Sequence, residues 1–323
     1  MRLRSFFFRR YHRLLEWLER RHLPGFRGVN LYAVLNVFFK DVNNYDFTLR
    51  ATAMAYSFFF ALFPTLIFLF ALTPYLPIAD ATGRLVDILR GTLPGDSFKL
   101  IEGTVMGVFK RRGVGVLSLA FAVVVFSATR GVRTMLQAFS KTDPAHFKRM
   151  KPWQLYFRAF YIFLALSLIG LLALATLISG EVALVYMLDH LPWLTGHYQL
   201  LFQAIEGLVS FAVITIGISF LYFVAPPVRE RWRFFSPGSL LAALLMSAAQ
   251  LGLRYYFVNF GSYNGVYGSL AAVMVLMLWF YYLSLVLLVG FELNAAIDKA
   301  YQKQQIKAEM AVAREGRARL TET

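Results

Sequence analysis

From Ser269 to Phe291 the chain runs for 23 residues without a charged side chain, inside the stretch GSLAAVMVLMLWFYYLSLVLLVGFELN that spans Gly268–Asn294. About 20 predominantly apolar residues are enough for a helix to cross the hydrocarbon core of a bilayer. This run crosses with length to spare for tilt. Five other segments resemble it, so the solvent for most of this chain is lipid. The reading is an all-α polytopic membrane protein with six transmembrane helices, at about 51–72, 113–139, 156–178, 200–225, 238–259 and 267–295.

Composition matters here for what it excludes. Only 16% of residues are charged and 58% are hydrophobic, against about 25% charged in a soluble domain. A net charge of +15 would suggest nucleic acid for a soluble protein. In a membrane protein Lys and Arg collect on the cytoplasmic side, so no nucleic-acid partner is read from it. The absence of cysteine excludes disulfides, thiolate metal sites and a cysteine nucleophile. The basic start (Arg2, Arg4, Arg9, Arg10) surrounds only the short patch Phe6–Phe8, too brief for a signal-peptide core. The N-terminus is therefore expected to be retained.

The chain divides into a basic amphipathic segment (1–50), a transmembrane domain (51–298) and a charged tail (299–323). The first segment reads as two amphipathic helices split at Pro24-Gly25. Phe7, Tyr11, Leu14 and Leu18 line one; Leu31, Leu35, Phe38 and Val42 line the other. Such helices lie in the headgroup plane or pack under the bundle. The tail reads as a solvated helix. Lys and Arg are dense before the first span, around Lys148, around Arg231 and in the tail, and absent between spans three and four and between spans five and six. Both termini are therefore expected in the cytoplasm. The segment 73–112 fits least well, because it is expected outside yet carries Lys110-Arg111-Arg112.

Ionisable groups within spans are costly and usually face the bundle interior. Glu206 and Arg254 fall at similar depth, about 9 Å from the outer side at 1.5 Å per residue, and are expected to face each other. At the inner side Arg130, Arg133, Arg158, Glu292 and Asn294 gather. The three-residue step from Arg130 to Arg133 puts both on one helix face. A pair between Arg130 and Glu292 would join spans two and six. The arginines would then form a basic inner vestibule for an anionic group such as a lipid phosphate, or merely snorkel to the interface. Pro64 removes a backbone hydrogen bond in span one and is a candidate kink; Ser57 and Thr65 stand near enough to re-satisfy freed groups. In span five, Ala243/Ser247 and Ala248/Gly252 are small residues four apart, which permits close helix packing. Gly261–Gly268 reads as an outer hairpin.

Enzyme signatures are missing. His190 and His197 fit no zinc spacing, and there is no Gly-x-Ser-x-Gly, no His-Glu-x-x-His and no carboxylate cluster for two-metal hydrolysis. No catalytic residue, metal or cofactor is expected.

Several blocks resemble one family. They are Ala53-Met-Ala-Tyr-Ser-Phe-Phe-Phe-Ala-Leu-Phe-Pro64, Phe126-Ser-Ala-Thr-Arg130, Ser236-Pro-Gly238, Tyr267-Gly-Ser-Leu-Ala, Leu278-Trp-Phe-Tyr-Tyr and Gly290-Phe-Glu-Leu-Asn294. Together, over roughly residues 30–298, they are similar to the YihY/BrkB membrane proteins. The resemblance implies a bacterial inner-membrane protein with six spans. It also brings two older labels, a ribonuclease now regarded as misassigned and a serum-resistance virulence factor. The functional expectation is transport or translocation of a lipid or other envelope component, with membrane lipids, including anionic phospholipid headgroups, as partners. The alternative is a non-transporting scaffold or envelope-integrity factor. The residues do not support ribonuclease chemistry.

Overall fold

A computed structural model describes residues 25–72, 114–142, 151–190, 198–226, 233–259 and 269–321. They form seven α-helices: α1 (Leu31–Val42), α2 (Tyr45–Leu72), α3 (Val114–Thr142), α4 (Pro152–His190), α5 (Tyr198–Val224), α6 (Pro237–Asn259) and α7 (Ser269–Thr321). No strand occurs among the described residues. Helices α2, α3, α4, α5 and α7 are each long and apolar enough to cross a membrane. Helix α6 has 23 residues, about 35 Å at 1.5 Å each, but its described apolar part covers only Pro237–Gly252. Among the described residues five candidate spans thus stand, and the helix at the position of the fifth expected span is described as apolar only over its first part. The leading amphipathic helix, the 73–112 segment and the 261–268 hairpin lie outside the described residues.

Helix α2 packs on α3 and α7, α6 on α5 and α7, and α4 on α3 and α5. At the centre Phe139 of α3 and Phe291 of α7 stack with ring centroids 4.1 Å apart. Tyr222 of α5 meets both edge-on, at 6.0 Å and 5.7 Å. These edge and face geometries suit the aromatic quadrupole, and all three rings are fully buried. The outside of the bundle is apolar, with Leu119, Leu171, Leu208, Leu251 and Leu278 among its exposed residues. Water tolerates so large an apolar surface poorly; acyl chains do not penalise it.

Helix α1 packs on the far part of α7. Asn30 caps it by accepting the Ala33 N–H at 3.2 Å, which satisfies one of the helix's orphan donors. Phe26, Val29 and Val34 bury against Ala296, Ile297 and Ala300. Arg27–Asp298 (2.9 Å) and Lys299–Asp41 (2.6 Å) flank the contact. The turn before α1 needs left-handed backbone at Gly25 (φ +92), which glycine adopts without steric cost. A Cβ there would also stand 2.9 Å from Pro237. Helix α7 continues without a break through 298–299 to Thr321, and its residues 303–314 are exposed.

Candidate functional site

Two polar nodes meet on α7 within one helical turn. The first is an ion pair. Arg50, in the second turn of α2, donates from Nη2 to Glu292 Oε1 at 2.9 Å. Its Nη1 donates to Thr142 Oγ1 (2.7 Å) and to the Ala138 carbonyl (3.0 Å), and its Nε to the Asp46 carbonyl (3.3 Å). Thr142, the last residue of α3, donates a hydrogen bond from its own hydroxyl to Glu292 Oε1 at 2.7 Å. Arg50 is 8% exposed and Glu292 1%. One carboxylate oxygen therefore ties three helices together. The other, Glu292 Oε2, is buried without a hydrogen-bond partner. Asp46 and Lys141 (3.2 Å) form a partly exposed pair beside the node.

The expected Arg130–Glu292 pair is not made; Arg50 takes that place. The reason is register. Glu292 is level with Thr142, and Arg130 lies twelve residues back along α3, about 18 Å away at 1.5 Å per residue. Among the described residues, the arginines expected at this end do not share one partner. Arg158 donates from Nε to the Val224 carbonyl (2.9 Å) and from Nη2 to the Pro226 carbonyl (2.8 Å). It thereby caps the C-terminus of α5, where unsatisfied carbonyls and the helix dipole favour a cation. Arg133 is half-buried, and its Nε has no hydrogen-bond partner. One turn earlier on α3, Thr129 Oγ1 is likewise buried and unpartnered. Arg130 itself is exposed.

The second node is built on Asn294. Its Oδ1 accepts the Gly238 N–H at 2.9 Å, and its Nδ2 donates to Ser236 Oγ at 2.8 Å. Ser236 and Ser239 bond each other's backbone N–H (3.1 Å and 3.2 Å), a reciprocal cap on α6, with Pro237 at the first helical position, where its missing N–H costs nothing. Ser219 of α5 donates to Ser239 Oγ at 2.9 Å. The backbones of α6 and α7 touch here. A Cβ on Gly238 would overlap the Gly290 carbonyl, and one on Gly290 would stand 2.5 Å from the Gly238 carbonyl and 2.5 Å from the Tyr222 hydroxyl. That hydroxyl donates to the Leu287 carbonyl at 2.7 Å. The close approach therefore runs through Gly238 and Ala242 rather than the expected small pairs. Ala243 is buried, but Ala248 and Gly252 are exposed.

Pro64 sits inside α2, which continues through it to Leu72. Thr65 donates to the Ala61 carbonyl (2.8 Å) and Ser57 to the Ala53 carbonyl (3.0 Å). Neither reaches the Phe60 carbonyl that proline leaves without its usual donor. The side chains of Glu206 and Arg254, and the His190/His197 pair, lie outside the described residues. Among the described residues no three His, Asp or Glu side chains come together as metal ligands would.

Sequence reasoning placed Glu292 and Asn294 at one end of the bundle but missed Arg50. A signal was present. Arg50 is the last charge before the charge-free 51–72 run, and Glu292 the first after the charge-free run ending at Phe291. Two groups that mark one membrane boundary on adjacent helices stand at the same height.

Comparison with known proteins finds relatives named as membrane proteins. A ribonuclease-like protein of Bacillus subtilis, YfkH, is 26% identical over 256 residues, which cover 77% of this chain and 90% of the relative. A UPF0761 membrane protein of Aliivibrio salmonicida is 24% identical over 79% of this chain and 80% of its own. Another, from Tolumonas auensis, is 37% identical over 33% of this chain and 36% of its own. No solved structure matches the chain. Residues 38–315 match the family described as Virulence factor BrkB, and the chain, an integral membrane protein, belongs to that family.

Proposed function

We propose that this protein moves a lipid or other envelope component across a bacterial inner membrane, with six crossings and both chain ends in the cytoplasm. The observation that carries the proposal is the set of buried polar atoms without partners: Glu292 Oε2, Arg133 Nε and Thr129 Oγ1. A buried polar atom left unpaired costs about 1–3 kcal/mol, more if charged. Intramembrane charges that persist despite such costs usually mark substrate or ion paths. The shared location of the chain ends is supported by α1, which packs on α7 beyond its apolar run.

The test is reconstitution in liposomes. Fluorescent phospholipid flux is expected from wild type and is expected to fall at least tenfold in Arg133→Ala. Correctly folded wild-type protein that moves no candidate lipid or solute counts against the proposal. A second reading, a non-transporting scaffold, draws support from Arg50, because each of its three nitrogens already has a partner. Envelope proteins co-purifying with a flux-inactive chain would favour it. The name of the Bacillus relative raises RNA cleavage. Hydrolysis by the purified protein that is lost on changing a single acidic residue would establish that reading over ours.

A further inference from the structure

Arg130 stands at the middle of the apolar slab and faces outward. Three contacts set its height. A Cβ on Gly131 would lie 3.4 Å from the ring of Phe58, the Ser57 and Thr134 hydroxyl oxygens are 3.1 Å apart, and the rings of Phe59 and Phe280 are 6.5 Å apart. Phe280 lies midway along the charge-free run Ser269–Phe291. Arg130 is exposed at that level, and among the described residues its side chain has no ionic or hydrogen-bonding partner. An arginine at this depth normally faces the bundle interior, a wet cavity or a counter-charge.

It is not isolated on its helix. Ser127, Arg130, Thr134, Gln137 and Lys141 follow at steps of three and four residues, within about 80° of arc at 100° per residue. Each is exposed or half-exposed. The row runs about 21 Å along α3, from the end of the bundle that holds the Arg50–Glu292 pair to the mid-level. Beyond it the same face turns apolar at Val123 and Leu119, both exposed. A face of this kind gives a headgroup hydrogen-bonding partners for half the membrane thickness and gives acyl chains an apolar wall beyond.

We infer that the α3 stripe from Lys141 to Arg130 is a binding track for the phosphate of an anionic phospholipid, with Arg130 as its terminal partner. This inference rests on the translocation reading and names its substrate class and its entry side. A planar guanidinium suits phosphate, to which it donates two parallel hydrogen bonds. A second copy of this chain is the poorer occupant. A two-fold contact would set Arg130 and Lys141 against their own copies, and among the described residues the carboxylate beside the stripe, Asp46, is already paired with Lys141.

The experiment uses the full chain in phosphatidylcholine vesicles doped with a photoreactive phosphatidylglycerol or, separately, a photoreactive phosphatidylcholine. Labelling of the peptide 127–141 is expected to be at least fivefold stronger with the anionic probe. It is expected to fall at least fivefold in Arg130→Leu and to be retained in Arg130→Lys. Arg130→Leu removes a charge from the apolar level and should insert at least as well as wild type; Arg130→Gln serves if it does not. Equal labelling by both probes overturns the inference. So does unchanged labelling of Arg130→Leu. Competition of the anionic label by millimolar inorganic phosphate would make a soluble phosphate the ligand. Because the chain lacks cysteine, Gln137→Cys also reports a copy directly: a disulfide-linked dimer that excludes the probe overturns the lipid assignment. Binding is read here without flux. Labelled but flux-inactive protein therefore sinks the translocation reading alone, and flux-active protein without selective labelling sinks the track alone.

Discussion

Replacing Glu292 with leucine takes away the carboxylate that holds α2, α3 and α7 together and leaves the Arg50 guanidinium, 8% exposed, with only the more exposed Asp46 as an anion beside it among the described residues. Breaking a buried ion pair on one side costs about 3–5 kcal/mol. Asp46, 3.5 Å from Arg50 Nε and 41% exposed, still offers partial compensation, so Glu292→Leu should fall near the low end of that range. Arg50→Met should cost more, because it strands a carboxylate that already has one oxygen unpartnered. The double variant Arg50→Met/Glu292→Leu removes both charges. It frees the Ala138 carbonyl, which Arg50 occupies at 3.0 Å, to accept the Thr142 hydroxyl one turn along the helix. Replacing a whole buried pair by apolar residues is often neutral or stabilising. The double should therefore lie within about 1–2 kcal/mol of wild type, well short of the sum of the singles. Equilibrium unfolding in mixed micelles, followed by tryptophan fluorescence, measures all four proteins. Additive single losses would refute the argument, because they would mean that Arg50 and Glu292 do not act through each other.

Other expectations follow from the same contacts. Gly238→Ala should abolish accumulation of folded protein in a detergent-extraction assay, because its Cβ meets backbone that cannot give way. Gly170→Ala, with open space around it, should be neutral or slightly stabilising. Asn294→Ala strands the Gly238 N–H, while the Ser236 hydroxyl keeps its bond from the Ser239 N–H, and should cost about 1–3 kcal/mol for the one group left unpaired, read as a lowered melting temperature. Phe26→Ala should loosen α1 from α7 at a cost of about 3–5 kcal/mol locally, seen as faster proteolysis within residues 25–44 while the spans stay intact. Reporter fusions near residue 1 and at residue 323 should report the same side of the membrane.

Much of the helical layout was legible because its signal is local. The first span was placed at 51–72, and α2 ends at Leu72; the third and fourth began within a few residues of α4 and α5. A charge-free run of membrane length admits few other conformations in lipid, since its backbone must satisfy itself. The Ser236-Pro-Gly238 block was legible as a motif, and it proves to be a helix cap held by Asn294 from another helix. Its partner was not predictable, because nothing local relates residue 238 to residue 294. The Arg130 pairing failed for a similar reason. Counting residues from uncertain span ends misjudges the height of Arg130 by about three turns, and a turn is 5.4 Å.

The sequence alone determined that this chain is helical and membrane-embedded, because the cost of exposing peptide groups and charges to hydrocarbon depends on runs of neighbouring residues. Which charges meet is set by the packing of the helices. Arg50 rather than Arg130 holds Glu292, and Gly238 rather than Gly252 meets α7. Those choices depend on how the helices slide and rotate against one another, through packing between residues as far as 242 positions apart.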